Sequence, residues 1–374
     1  MMAIVSVLGI GLLLAYANGA NDNYKGVATL LGSGTASYRR ALLWAAGTTA
    51  LGSLTALVLA RGLLAAFAGK GLVPAEVVAD PLFPTAVALA AGLTVLLATR
   101  LGFPISTTHA LLGGLVGAGL VASPVGINTA TLATGFLLPL LTSPIVAVAL
   151  SGGLYPAVHA GRRWLGVTRE TCVCVGDAVV GVIPGAPGHA AALAAVTLPT
   201  LTVGESPSCQ VRYSGTVVGL SARTMLDVAH YASAGAVSFA RGLNDTPKIA
   251  ALLLVGGVVA PNAALVAVGI VMATGGLISA RRVAATMSHG VTDMNPGQGF
   301  TANAVTSLLV IGASTLGLPV STTHVSCGAL FGIGTVTRQA RWHTIRHILL
   351  AWVITLPMAA VLAAVTVAVI HAFA

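Results

Sequence analysis

LGFPISTTH, residues 101–109, returns as LGLPVSTTH at residues 316–324. Seven of the nine positions are identical, and glycines follow in step: Gly113, Gly117 and Gly119 against Gly328, Gly332 and Gly334. Each copy places a glycine (Gly102, Gly317) two residues before a proline (Pro104, Pro319), which lies two residues before the serine. Turn, hydroxyl cap and helix start is the natural reading. The first amides of a helix lack intrahelical partners and its dipole end is positive, so such a start receives an anion. The hydroxyls of Ser106, Thr107 and Thr108, and of Ser321, Thr322 and Thr323, add donors. His109 and His324, one turn in, can orient the turn or take a proton. The plainer alternative is two ordinary capped helices.

A second pair of segments repeats in the same order. GANDNYKG (19–26) precedes the first STTH and GLNDTPKI (242–249) precedes the second. Lysine occurs only at 25, 70 and 248, so two of three occupy matched places, as do Asp22 and Asp245 among nine acidic residues. A charge at membrane depth persists where it faces a cavity or a partner. Asn21, Asp22, Asn244 and Asp245 offer oxygens to Na⁺, or acceptors to H⁺, at helix breaks that Gly19 and Gly242 permit. For Lys25 and Lys248 the plain alternative is a structural pair with the aspartate three residues before.

Composition sets the solvent. The chain is 56% hydrophobic and 7% charged over 374 residues, against about 25% charged in soluble domains. Apolar runs at 41–60, 82–99, 129–150, 251–280 and 347–370 approach the roughly 20 residues that cross a bilayer. The first apolar run leads straight into the ND segment and is expected to belong to the mature fold. The net charge of +9 is mostly arginine between apolar runs. That fits the positive-inside rule and argues against nucleic acid as a partner. Cys172, Cys174, Cys209 and Cys327 lack metal-site spacing and read as unlinked thiols or a local regulatory feature.

The chain therefore divides into a first membrane repeat, 1–160, an insert, 161–226, and a second repeat, 227–374. Arginine placement orients them. Arg39 and Arg40 directly follow the first ND segment, whereas Arg281 and Arg282 come one span later in the second half. The loop 122–128 is uncharged, whereas Arg338, Arg341 and Arg346 follow the second STTH. Equivalent loops then lie on opposite sides, which makes the repeat inverted. Both termini fall outside, and Arg162, Arg163 and Arg169 inside. Arg61 and Lys70 run against this, beside Glu76 and Asp80. The insert alternates, is rich in valine and threonine, and reads as a small β-rich cytoplasmic piece; a helix over 189–201 is the alternative. Asn303, Gln298, Asp293 and Asp227 are expected at the interface, and Asp80 and Asp293 take roughly equivalent places before the two STTH spans.

Together GANDNYKG, GLNDTPKI, FPISTTH and LPVSTTH, with GQGFTANAV at 297–305, resemble the PiT family of inorganic phosphate transporters over both halves. The resemblance implies an all-α polytopic membrane protein, an inverted-repeat secondary transporter with about 12 transmembrane helices including broken or re-entrant segments. It implies phosphate uptake coupled to Na⁺ or H⁺, a homodimer, and a multi-pass place in the plasma or inner membrane. No enzyme activity and no cofactor beyond the co-transported ion are implied. Asn21, Asp22, Asn244 and Asp245 would hold the cation, and the six STT hydroxyls the phosphate, with Lys25, Lys248, His109 and His324 in support. The family also contains sulfate permeases. Asp22 and Asp245 favour phosphate, because a carboxylate can accept the proton that phosphate carries and only repels sulfate. Na⁺ is preferred over H⁺ because asparagine oxygens coordinate a metal ion but do not titrate. Two readings lie outside transport by carrier. A serine–histidine hydrolase would use Ser106 with His109, or Ser321 with His324, but no third orienting residue stands out. A passive anion channel would leave the ND segments without a purpose.

Overall fold

The computed structural model describes residues 2–183, 194–205, 213–254 and 259–373. Among the described residues, the helices of fifteen residues or more fall into two runs of five. The first run is α1 (Met2–Asp22), α2 (Tyr38–Leu59), α3 (Leu82–Leu101), α4 (Thr107–Ala122) and α5 (Leu138–Trp164), the last continuing a wide π-type segment, Thr131–Leu137. The second is α6 (Ala222–Leu253), α7 (Pro261–Ser279), α8 (Pro296–Thr315), α9 (Thr322–Val336) and α10 (Trp342–Phe373). Among the described residues, the five helices long and apolar enough to cross a membrane overlap the five apolar runs of the sequence. Ten long helices stand where about twelve spans were expected. The other helical pieces, such as Arg61–Phe67, Ala75–Ala79 and Arg281–Ala285, have seven residues or fewer and are too short to cross.

Polarity is arranged as lipid demands. Leu141, Ile145, Val353 and Val361 are exposed on α5 and α10, while Asn18, Asp22, Arg241 and Asp245 are buried. Ionisable groups at this depth face the bundle interior, where partners wait. The two halves also interlock. A Cβ on Gly19 of α1 would strike the backbone of Met272 on α7, and one on Gly275 of α7 would strike Tyr16. The matching contacts are Gly242 of α6 on Thr49 of α2, and Gly52 of α2 on Phe239. The same exchange recurs further along. Gly113 and Gly117 of α4 sit on Leu356 and Ala360 of α10, while Gly328 and Gly332 of α9 sit on Pro144 and Val148 of α5. Each half thus presses glycine-lined helices against the backbone of the other, the packing that substitutes for a hydrophobic drive inside lipid.

The ND segments differ locally. α1 stops at Asp22, turns through Lys25 N→Asp22 O (3.1 Å) and Val27 N→Tyr24 O (3.1 Å), and resumes as Ala28–Gly32. α6 runs unbroken through Asn244, Asp245 and Lys248 with Pro247 inside it. The expected pair of helix breaks is therefore one break and one proline-interrupted helix; Pro247 removes a backbone donor without ending the helix.

Two compact units account for the chain: Met1–Tyr155 with His230–Ala374, and Pro156–Ala229. The smaller holds β1 (Thr171–Ile183), β2 (Ala194–Glu205) and β3 (Tyr213–Ser221) in an antiparallel sheet of order β2-β1-β3. Its valine- and threonine-rich alternation suits a pleated surface. Residues 194–201 are strand, not helix, and 189–193 lie outside the described residues. Cys172 and Cys327 are free, but Cys174 is disulfide-bonded, so the expectation of unlinked thiols fails for it. Cys209 lies outside the described residues.

Gly242→Leu should lower stability by at least about 1–3 kcal/mol, the usual cost of overpacking, because the new side chain meets Thr49 and Ser53. Gly47→Leu, where a Cβ meets nothing within 4 Å, should be neutral. Thermal unfolding and size-exclusion profiles in detergent check both.

Candidate functional site

The two STTH segments meet. α4 and α9 each begin directly after their serine, and each serine caps its own helix: His109 N→Ser106 Oγ and His324 N→Ser321 Oγ are both 3.1 Å. The bland capping role is therefore real, and it aims both positive helix ends into one place. The His109 and His324 rings lie 4.2 Å apart between centroids. His324 also stacks on Trp352 at 3.7 Å, and Trp352 Nε1 donates to Pro104 O at 3.2 Å. These rings pin the two turns together. His109 Nδ1 lies 3.0 Å from Ser106 Oγ, whereas His324 Nε2 has no hydrogen-bond partner among the described residues.

The ND side chains stitch the turns across the repeat. Lys25 Nζ donates to Ile105 O (2.7 Å) in its own half and Thr323 Oγ1 (2.7 Å) in the other. Lys248 Nζ does the same with Val320 O (2.7 Å) and Thr108 Oγ1 (2.8 Å). The hydroxyls close the exchange: Thr323 Oγ1 donates to Ile105 O at 2.9 Å and Thr108 Oγ1 to Val320 O at 3.3 Å. Asp22 pairs with Lys25 and accepts from Thr107 Oγ1 at 3.3 Å. Asp245 lies 3.7 Å from Lys248 Nζ and 3.9 Å from Arg241 Nε. Asn21 Nδ2 reaches Thr99 Oγ1 at 2.9 Å, and its Oδ1 accepts from Lys25 at 2.7 Å. Asn244 is held by Ser314 at 3.1 Å and donates to Thr322 Oγ1 at 3.1 Å. All fourteen residues expected at the site are thus brought together, and none is more than 8% exposed.

Four further residues belong to this cluster. Asn18 and Arg241 stand three residues before Asn21 and Asn244; Thr99 and Ser314 stand seven before Ser106 and Ser321. Asn18 Nδ2 spans the two aspartates, at 3.1 Å from Asp22 and 3.3 Å from Asp245, and also donates to Thr107 at 3.0 Å. Arg241 donates to Asn18 Oδ1 (2.8 Å) and Asn23 Oδ1 (2.9 Å). The signal for all four was matched polarity at matched places in both halves. Asn18 against Arg241 is where the repeat's symmetry gives way. Two carboxylates face three cations, which leaves one formal positive charge in the cluster.

Other expectations resolve differently. Asn303 and Gln298 are buried among side chains. Asn303 donates to Thr29 Oγ1 at 2.8 Å, beside His230 Nε2 at 3.0 Å, and Gln298 closes a capping box with Asn295. Asp293 is exposed and pairs with Arg341 at 2.7 Å, whereas Asp80 caps Leu82 N at 2.9 Å, so their matched places carry different roles.

An all-helical bundle that hides paired charges around two facing helix starts, inside an apolar exterior, defines a polytopic membrane transporter. The chain belongs to the phosphate transporter family, whose model matches residues 18–363. It is 29% identical over 422 residues to the chloroplastic inorganic phosphate transporter 2-1 of Arabidopsis thaliana, covering 96% of this chain and 71% of that one. A protein of Pyrococcus horikoshii named as a phosphate permease is 26% identical over 97% of this chain and 96% of its own. A Mycobacterium bovis protein with the same kind of name is 40% identical over 151 residues, and the match spans only 27% of its length. Among solved structures the chain is similar to one titled the sodium-dependent phosphate transporter, with a TM-score of 0.75 and 21% identity over 100% of both chains. The relatives are transporters and not enzymes.

Removing one partner of a buried pair costs about 3–5 kcal/mol. Asp22→Ala should therefore lower the melting temperature, and Asp22→Ala combined with Lys25→Met should melt above the single variant. A double variant no more stable than the single would contradict the coupling of this pair.

Proposed function

We propose that this chain is a cation-coupled symporter of inorganic phosphate that works by alternating access. The observation that carries the reading is the meeting of two helix starts, one from each half, among buried lysines, arginine and aspartates. Hydroxyls from Ser106–Thr108 and Ser321–Thr323, with the first amides of α4 and α9, form an oxyanion seat built twice and joined. Asn21, Asp22, Asn244 and Asp245 handle the coupling cation, Na⁺ or H⁺. Phosphate is favoured over sulfate because Asp22 and Asp245 can accept the proton that phosphate carries.

Carrier is favoured over channel by closure. Two of the seat's hydroxyls, Thr108 and Thr323, bond to the opposite half, so a ligand takes these two only when the halves part. The halves are read as inverted. α3 and α4 either cross separately or make one re-entrant hairpin, and each half then crosses an odd number of times in both cases. The second half accordingly begins on the opposite face. Basic residues in the last turn of α5, Arg162 and Arg163, support a cytoplasmic reading of the smaller unit by the positive-inside rule. A homodimer is the assembly carried over from the family resemblance.

In proteoliposomes the wild type should accumulate radiolabelled phosphate under an imposed cation gradient, with sulfate competing weakly. Asp22→Asn should insert normally but lose accumulation. Thr108→Val and Thr323→Val should each weaken phosphate competition about tenfold or more, the scale of one hydrogen bond to a charged group. Stronger competition by sulfate than by phosphate would reassign the substrate.

A further inference from the structure

Four oxygens of four kinds converge on Lys25 Nζ: the Asp22 carboxylate, the Asn21 amide at 2.7 Å, the Ile105 carbonyl at 2.7 Å and the Thr323 hydroxyl at 2.7 Å. An ammonium has three protons to donate, so this is more than its hydrogen bonding requires. Carboxylate, amide, carbonyl and hydroxyl oxygens pointing at one centre are the cage of a hard cation. The repeat gathers a looser set around Lys248 Nζ, the Val320 carbonyl at 2.7 Å and the Thr108 hydroxyl at 2.8 Å, with the Asp245 carboxylate further off at 3.7 Å. A plain i,i+3 ion pair would need none of the contacts to the opposite half. Both lysines are 1% exposed.

We propose that Lys25 and Lys248 are resident cations, filling the two repeat-related oxygen clusters in sodium's place, so that this chain moves phosphate without carrying sodium. The proposal rests on the phosphate-transport reading above and narrows its coupling ion to the proton. A sodium ion beside Asp22 would share its oxygens with a fixed ammonium and meet a like charge. The lysines do not leave with the substrate, so they hold the anion without being spent on each cycle. With one formal positive charge in the cluster, the site is neutralised by one singly charged phosphate, which is the dianion and one proton. The charged and titratable groups that act on the two ammoniums are Asp22, Asp245, Arg241, His109, His324 and Cys327. The 21% identity to a sodium-dependent transporter fixes the fold and leaves the ion to this chain's own side chains.

The test is phosphate uptake by purified full-length protein in proteoliposomes under an inward pH gradient, with sodium or N-methylglucamine outside. It is read beside equilibrium binding of ²²Na⁺ to the same protein in the presence of phosphate. Rates should agree within twofold with and without sodium, and ²²Na⁺ should not bind above background. Lys25→Asn and Lys248→Asn, which leave the cage an oxygen in place of the ammonium, should gain at least threefold in ²²Na⁺ binding. Lys25→Met, which fills the cage with an apolar group, should not gain. Stimulation of wild-type uptake more than threefold by sodium, or saturable ²²Na⁺ binding to the wild type, overturns the proposal. Failure to take up phosphate under any gradient would sink the transport reading instead, and the ²²Na⁺ measurement would still decide between ammonium and sodium.

Discussion

Fixed charge in a water-poor interior must find partners, and in this protein each buried lysine finds them in both halves. An unpaired charge at membrane depth costs at least several kcal/mol, so Lys25 and Lys248 cannot stand alone. Each takes a carbonyl from its own STTH turn and a hydroxyl from the other. The charges thereby dictate that the two turns touch, and the touching turns set two helix starts face to face. Glycine-to-backbone contacts between α1 and α7, and between α4 and α10, let the helices come close enough for this.

Symmetry explains most of the site, and its failure explains the rest. Thr99 and Ser314 hold Asn21 and Asn244 from matched places, Thr99 by accepting from the amide nitrogen and Ser314 by donating to the amide oxygen. Asn18 and Arg241 do different work: one spans both aspartates, and the other brings the third cation. α1 breaks after Asp22 whereas α6 continues past Asp245.

Much of this was legible from the residues alone. The two STTH segments and the two ND segments were near-identical words in a chain with few polar letters, so the fourteen candidate residues followed from repetition. Five apolar runs gave the five membrane-length helices for the same reason. What escaped detection carried no local contrast. Asn18 and Thr99 are common polar residues until a partner in the other half is known. Arg241 was hidden among other arginines that do serve as loop charges. Asn303 and Gln298 looked interfacial because hydropathy does not say which face of a helix meets Thr29 or Asn295.

The shared seat is tested most directly by a structure of the protein soaked with arsenate, located by its anomalous scattering. A single arsenic peak within hydrogen-bonding distance of both Thr107–Thr108 and Thr322–Thr323 is the result expected. A peak touching only one half, or lying away from both turns, would contradict the idea that two helix starts hold one anion.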